Sequence, residues 1–193
     1  MPVANMRVTL RDVFPVVFLL LAPASAPRAA GLLPDAVYGT FGYTSGAFVA
    51  IYGAGASWNL KERPPARDES GLGIRLDTGV AYWWGKGRPT PYGHVWDLNV
   101  TPVFRWTFAQ PAAPRLFVEG GIGANLISTT RLNNDRIFST AFQFGEMAGV
   151  GVSFGPRNEY EVRLYAQHVS NGGIKLPNWG LTYPGIAFSM ALP

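Results

Sequence analysis

Residues 94–108 constrain this chain more than any other stretch. Trp96, Leu98, Val100, Pro102, Phe104, Trp106 and Phe108 fall on alternate positions, while Asp97, Asn99, Thr101 and Arg105 take most of the positions between them. A period of two is the signature of a β-strand, whose successive side chains point to opposite faces. A helix would scatter these bulky residues around its circumference, and Pro102 would break it. The apolar face is fifteen residues long with aromatics near both ends. That is the length and girdle pattern of a strand crossing a bilayer, longer than the usual strand of a soluble sandwich.

The same alternation, interrupted by turn-forming residues, predicts eight strands: 36–43, 47–59, 71–84, 94–108, 115–127, 138–154, 159–169 and 181–192. The breaks at 61–70, 109–114 and 155–158 then lie on one side of a membrane, and those at 85–93, 128–137 and 170–180 on the other. Charged residues make up only 15% of the chain and aromatics 13%, with 23 Gly. Such a composition suits strands that face an apolar solvent. The expected fold is therefore all-β, an eight-stranded antiparallel transmembrane β-barrel of the outer-membrane type. A barrel of that size is filled by its own side chains, so Arg75, Asp77, Asp97, Arg105, Glu119, Glu161 and Arg163 must pair inside it and a pore is not expected. Any chemistry belongs on the outside. Trp83, Trp84, Trp96, Trp106 and Trp179 read as interfacial anchors. His94 reads as an ordinary interfacial residue. Gly120 and its glycine neighbours read as packing residues, since the Lys and Ser/Thr of a phosphate loop are missing.

The start of the chain reads as an export signal. Arg7 and Arg11 precede an apolar run over 13–21, and small residues follow at Ala22, Ala24, Ser25 and Ala26. Cleavage after Ala24 is expected, which leaves 25–193 as a single barrel domain, and the apolar run is too short for a helical span. Removing 1–24 takes away two Arg and one Asp and lowers the formal charge from +4 to +3. With no cationic run, nucleic acid is not an expected partner. Lys86, Arg88, Arg131, Arg136 and Lys175 fall near predicted loops and suit phosphorylated lipid headgroups. The chain has no Cys, which excludes disulfides and thiolate metal sites, and two histidines alone do not make a zinc site. No metal or organic cofactor is implied.

Residues 160–180 carry the chemistry. His168 and Ser170 stand two apart in a strand and share its apolar face with Val162, Leu164 and Ala166. A base thus sits beside a nucleophile on the side that would meet lipid. Ester cleavage needs that pair and fixed donors for the developing oxyanion, and the backbone N–H of Gly172 or Gly173 could provide one because glycine permits close approach. One further polar residue is out of place: the 138–154 strand puts Phe142, Phe144, Glu146, Ala148, Val150 and Val152 on its apolar face. If the turn at 155–158 pairs the strands so that residue numbers sum to about 314, Glu146 lies opposite His168. It would there be an acid partner for the imidazole, or a headgroup-level carboxylate with no such role.

The segment HVSNGGIKLPNWG at 168–180, with TPVFRW at 101–106, VEGGIGA at 118–124 and FQFGEMAGVGVSFG at 142–155, resembles the outer-membrane lipid A 3-O-deacylase family. The resemblance spans nearly all of 25–193, and its most specific part is the His-x-Ser-Asn motif followed by Pro177 and Asn178. It implies an eight-stranded barrel in the bacterial outer membrane, acting as a serine esterase that removes the 3-position acyl chain of lipid A in lipopolysaccharide. It further implies Ser170 as nucleophile, His168 as general base, and Asn171 and Asn178 as motif asparagines that bind the oxyanion or the substrate, with Asn178 preferred as the oxyanion donor. The family acid should fall fourteen residues after the histidine, where this chain has Thr182. A threonine can orient an imidazole but cannot neutralise an imidazolium, so Glu146 becomes the candidate for the missing charge. Two alternatives remain: a catalytically impaired barrel that binds lipopolysaccharide or serves a structural role, and a soluble β-sandwich whose apolar faces form a core. The oligomeric state is open, a homodimer being one option.

Overall fold

A computed structural model describes residues 33–61, 68–85, 93–133 and 136–193; the expected signal at 1–24, and Lys86 and Arg88, lie outside them. Among the described residues ten strands form, in the order β1 (Ala36–Thr44), β2 (Val49–Lys61), β3 (Gly71–Gly85), β4 (His94–Thr107), β5 (Arg115–Ile127), β6 (Arg131–Asn133), β7 (Arg136–Ile137), β8 (Phe142–Phe154), β9 (Tyr160–Ser170) and β10 (Leu181–Ala191). Eight of them close a barrel in the order β1-β10-β9-β8-β5-β4-β3-β2, all antiparallel. Closure comes from β1 pairing with β10, from Ala36 opposite Ala191 to Gly42 opposite Gly185. With no open edge, each of these eight strands has two hydrogen-bonded neighbours, which is the condition for a sheet to sit in lipid. The soluble sandwich is thereby excluded.

The expected alternation decides which face is which. Trp96, Leu98, Val100, Phe104 and Trp106 on β4 all point outward and are exposed, as are Leu116, Val118, Ile122 and Leu126 on β5. So continuous an apolar surface would be untenable in water and is at home in a bilayer.

Inside, the barrel has two halves. Toward the end that carries the 108–114 and 155–159 connections, Glu119 is the hub of an ion network: Arg75 Nη1 donates to it at 2.9 Å, Arg105 Nε at 2.7 Å, and Arg163 joins them. Arg75 also reaches Asp77 at 2.7 Å and Arg105 reaches Glu161 at 2.6 Å. Three guanidiniums thus face three carboxylates, so the buried charges are matched as burial demands. The remaining inward acid, Asp97, accepts from Asn125 Nδ2 at 2.8 and 3.0 Å. Toward the other end, which carries the 128–141 and 171–180 connections, the interior is mainly apolar. Val49, Ile51, Trp83, Val95, Leu132, Phe138, Val169 and Leu181 pack there as one core.

Two expectations are corrected by this core. Trp83 is fully buried against Phe138, ring centroids 5.8 Å apart, and is no interfacial anchor: its odd position points it inward. The strand expected from 138 begins only at Phe142. Phe138 instead folds back into the barrel mouth, and the connection before it contains the short β6–β7 hairpin that alternation over so few residues did not reveal. Apolar burial outweighed four residues of strand pairing.

Candidate active site

The outward face of β9 near the apolar end of the barrel holds His168 and Ser170, both half-buried. Register places two side chains beside the imidazole. His168 lies directly opposite Glu146 on β8 and directly opposite Thr182 on β10, so the three form one row across adjacent strands. Directly opposite side chains on one face are near enough to interact. Thr182 does so: its Oγ1 is 2.7 Å from His168 Nδ1. Glu146 is exposed, and among the described residues its carboxylate has no hydrogen-bond or ion-pair partner.

The imidazole is also fixed from the loop side, by Gly180, a residue to which sequence reasoning assigned no role. Gly180 is buried at φ +56°, and a Cβ there would stand 3.0 Å from His168 Cε1 and 3.3 Å from Ser170 Cβ. The Cε1 edge of the ring therefore rests on the Gly180 backbone with the serine beside it. Since Nδ1 is engaged by Thr182, Nε2 is the nitrogen left for proton transfer. Ser170 Oγ accepts the Gly172 N–H at 3.5 Å. It has no hydrogen bond to His168 here, and such contacts are commonly loose before substrate binds.

Residues 171–180 form a tight loop beside Ser170. Gly172 and Gly173 adopt φ +64° and +83°, conformations costly for a residue with a Cβ. Asn171 organises the loop from within. It is completely buried; its Nδ2 donates to Phe138 O at 2.7 Å and Lys175 O at 2.8 Å, and its Oδ1 accepts from Gly173 N at 2.9 Å. Both amide hydrogens are thus committed to backbone, which corrects the expectation of an Asn171 side chain facing substrate. Asn178 Oδ1 accepts the Asn171 N–H at 3.1 Å, and its Nδ2 has no partner among the described residues.

A second connection clamps this loop. Ile137 O accepts from Trp179 N at 3.2 Å, Phe138 O accepts from Asn171, and Ser139 Oγ donates to Pro177 O at 2.6 Å. Three successive residues, anchored by the buried Phe138 ring, therefore hold the 171–180 loop to the barrel core. Sequence reasoning missed them because Phe138 continues the alternation of β8. Beside His168, Thr182 and Glu146 opens an external groove of about 630 Å3, lined by Ala166, Ala148, Gly120, Ile122 and Phe104. His94, expected to be interfacial, stacks on Tyr82 at 6.0 Å on a different part of the wall. Among the described residues no group of three or more His, Asp or Glu could hold a metal ion.

The arrangement sets a serine and a histidine on one outward-facing wall of the barrel. Known proteins of similar sequence and fold are the following. A lipid A deacylase PagL of Bordetella bronchiseptica is 42% identical over 110 residues, covering 57% of this chain and 57% of that protein. Another lipid A deacylase PagL, from Pseudomonas aeruginosa, is 32% identical over 130 residues, 67% of this chain and 71% of that one. The chain thus aligns with just over half the length of the Bordetella relative. A crystal structure of the outer membrane enzyme PagL superposes with a TM-score of 0.67 at 26% identity, covering 82% of this chain and 99% of that one. The lipid A 3-O-deacylase (PagL) family model matches residues 51–191, and a barrel matched over that span, with its serine and histidine on the lipid side, belongs to the PagL family.

Proposed function

We propose that this protein is an outer-membrane esterase that removes the ester-linked acyl chain at the 3 position of lipid A, exported by its residues 1–24. The observation that carries the reading is the placement of His168 and Ser170 on the outward, apolar face of a closed barrel, with His168 lining an apolar groove. A water-soluble substrate would have no reason to approach there, whereas an acylated lipid can present its ester without leaving the bilayer.

In this mechanism Ser170 Oγ attacks the ester carbonyl and His168 Nε2 takes its proton. The tetrahedral oxyanion is held by the Gly172 N–H, already directed at Ser170, and by the uncommitted Nδ2 of Asn178. Collapse expels the sugar hydroxyl, which recovers the proton from His168. Water, deprotonated by the same imidazole, then releases the acyl chain from Ser170. Thr182 sets the ring's orientation through Nδ1, while Glu146, one strand away in the same row, supplies the negative charge that favours the imidazolium. Low dielectric strengthens that interaction without direct contact. Asn171 serves the site by holding the loop.

The test is mass spectrometry of lipid A from cells making the protein, beside cells making Ser170→Ala at equal outer-membrane abundance. Loss of one acyl chain from the 3 position with the intact protein alone is the expected result; no loss with either would sink the esterase reading. A second reading is favoured by Thr182: with a neutral hydroxyl at Nδ1 the barrel could be catalytically impaired and bind lipopolysaccharide without cleaving it.

A further inference from the structure

The groove beside His168 is one row deep and has an end. Counting outward side chains by register, the row below His168 runs Ala166, Ala148, Gly120 and then Phe104, since Ala148 pairs with Ala166, Gly120 with Ala148 and Phe104 with Gly120. The next row down is bulky throughout: Leu164, Val150 and Val118. Above, Ile122 overhangs from β5. Three small residues between two bulky rows make a trench across β9, β8 and β5, and the ring of Phe104 on β4 stands across its far end.

We propose that Phe104 is the end stop of this trench and sets how long a 3-position acyl chain the enzyme accepts; the inference rests on the esterase reading above and adds to it a determinant of chain-length preference. From β9 to β4 there are three strand-to-strand steps of about 4.8 Å, so the trench extends about 14 Å. Ser170 lies two rows above Ala166 on β9, about 13 Å along the strand, so the chain whose carbonyl is at Ser170 passes His168 before it enters the trench. Inside a bilayer such a chain exchanges lipid contacts for protein contacts that are equally apolar, so burial by itself gives no preference for a longer chain. Fit decides. A chain that fills the trench keeps its contacts; one that overruns it must climb over the Phe104 ring or bow away from the barrel, which draws its carbonyl from Ser170.

Purified protein in detergent micelles is given mixtures of lipid A species whose 3-position chains differ by two-carbon steps, and relative kcat/KM is read by mass spectrometry of the released acids. Phe104→Ala lengthens the trench. The ratio of kcat/KM for the chain one step beyond the wild-type optimum to that for the optimum is expected to rise about tenfold or more, the scale on which apolar pockets discriminate methylenes. Gly120→Ile fills the trench midway and is expected to shift the ratio as far toward shorter chains. A Cβ at Gly120 meets nothing nearer than Met147 O at 3.4 Å, so the backbone accommodates it; Phe104→Leu gives an intermediate shift if either variant assembles poorly. Unchanged chain-length profiles in folded variants would overturn the end-stop role while leaving the esterase intact. A wild-type protein that releases no chain of any length would instead remove the esterase reading, and the end stop with it.

Discussion

Replacing Gly180 by Ala is expected to disable the site while leaving the barrel folded. The added methyl would lie 3.0 Å from His168 Cε1, 3.2 Å from Val169 O and 3.3 Å from Ser170 Cβ. Carbon pairs are most comfortable at about 3.5–4.0 Å, so the imidazole must retreat by roughly 0.5–1 Å. The 2.7 Å contact between Nδ1 and Thr182 Oγ1 leaves no slack for that movement. A misplacement of about 1 Å in a reacting group costs on the order of a hundredfold in rate, so kcat should fall by about 30- to 100-fold. The left-handed backbone, φ +56°, adds a strain of roughly 1–2 kcal/mol for a residue with a Cβ. Losing that much should leave a closed eight-stranded barrel assembled. The assay is lipid A deacylation in detergent, with heat-modifiable gel migration to confirm folding. Gly46→Ala is the control, because a Cβ there has nothing within 4 Å and its φ is ordinary. A folded Gly180→Ala with more than about a third of wild-type kcat would refute the idea that this glycine positions the histidine.

Further outcomes follow from other contacts. Glu146→Gln should lower kcat by about tenfold or more if its charge supports the imidazolium; full activity would remove Glu146 from the mechanism. Thr182→Val deletes the hydroxyl on Nδ1 and should cost about three- to tenfold in kcat, the worth of one ordinary hydrogen bond, whereas Thr182→Glu should raise kcat above wild type. An unchanged rate in the Val variant would separate the threonine from catalysis. Asn171→Ala leaves Phe138 O, Lys175 O and the Gly173 N–H without their partner; protease cleavage within 171–180 should accelerate while the barrel keeps its heat-modifiable migration. Glu119→Gln strips the hub from three guanidiniums. A broken buried pair costs about 3–5 kcal/mol, which should appear as a lower temperature for conversion of the folded to the unfolded gel band.

Strand-level structure was legible in this sequence because lipid imposes a simple rule. Each strand must show lipid an apolar face, so the alternation of Trp96 to Trp106 or Leu116 to Leu126 is written into the residues themselves, and antiparallel succession then dictates neighbour order. The pairing of Glu146 with His168 followed in the same way from the short turn between β8 and β9, because a tight turn sets register. The roles expected of His168 and Ser170 came from their spacing in the strand and from the resemblance, which also pointed to Thr182.

Other features were settled only by tertiary structure. Phe138 continues the period of β8, yet it turns into the barrel mouth because a dry space beside Trp83 is worth more than four residues of pairing. Asn171 reads as a substrate ligand by motif, yet its hydrogens go to Phe138 O and Lys175 O, since a buried amide must satisfy its donors wherever the loop places carbonyls. Gly180 is one glycine among 23 until the loop closes on His168. Likewise Phe104 and Ala166, more than sixty residues apart, share a trench only once β4, β5, β8 and β9 stand side by side. A strand's periodicity belongs to the chain, whereas proximity between strands and loops depends on closure of the barrel.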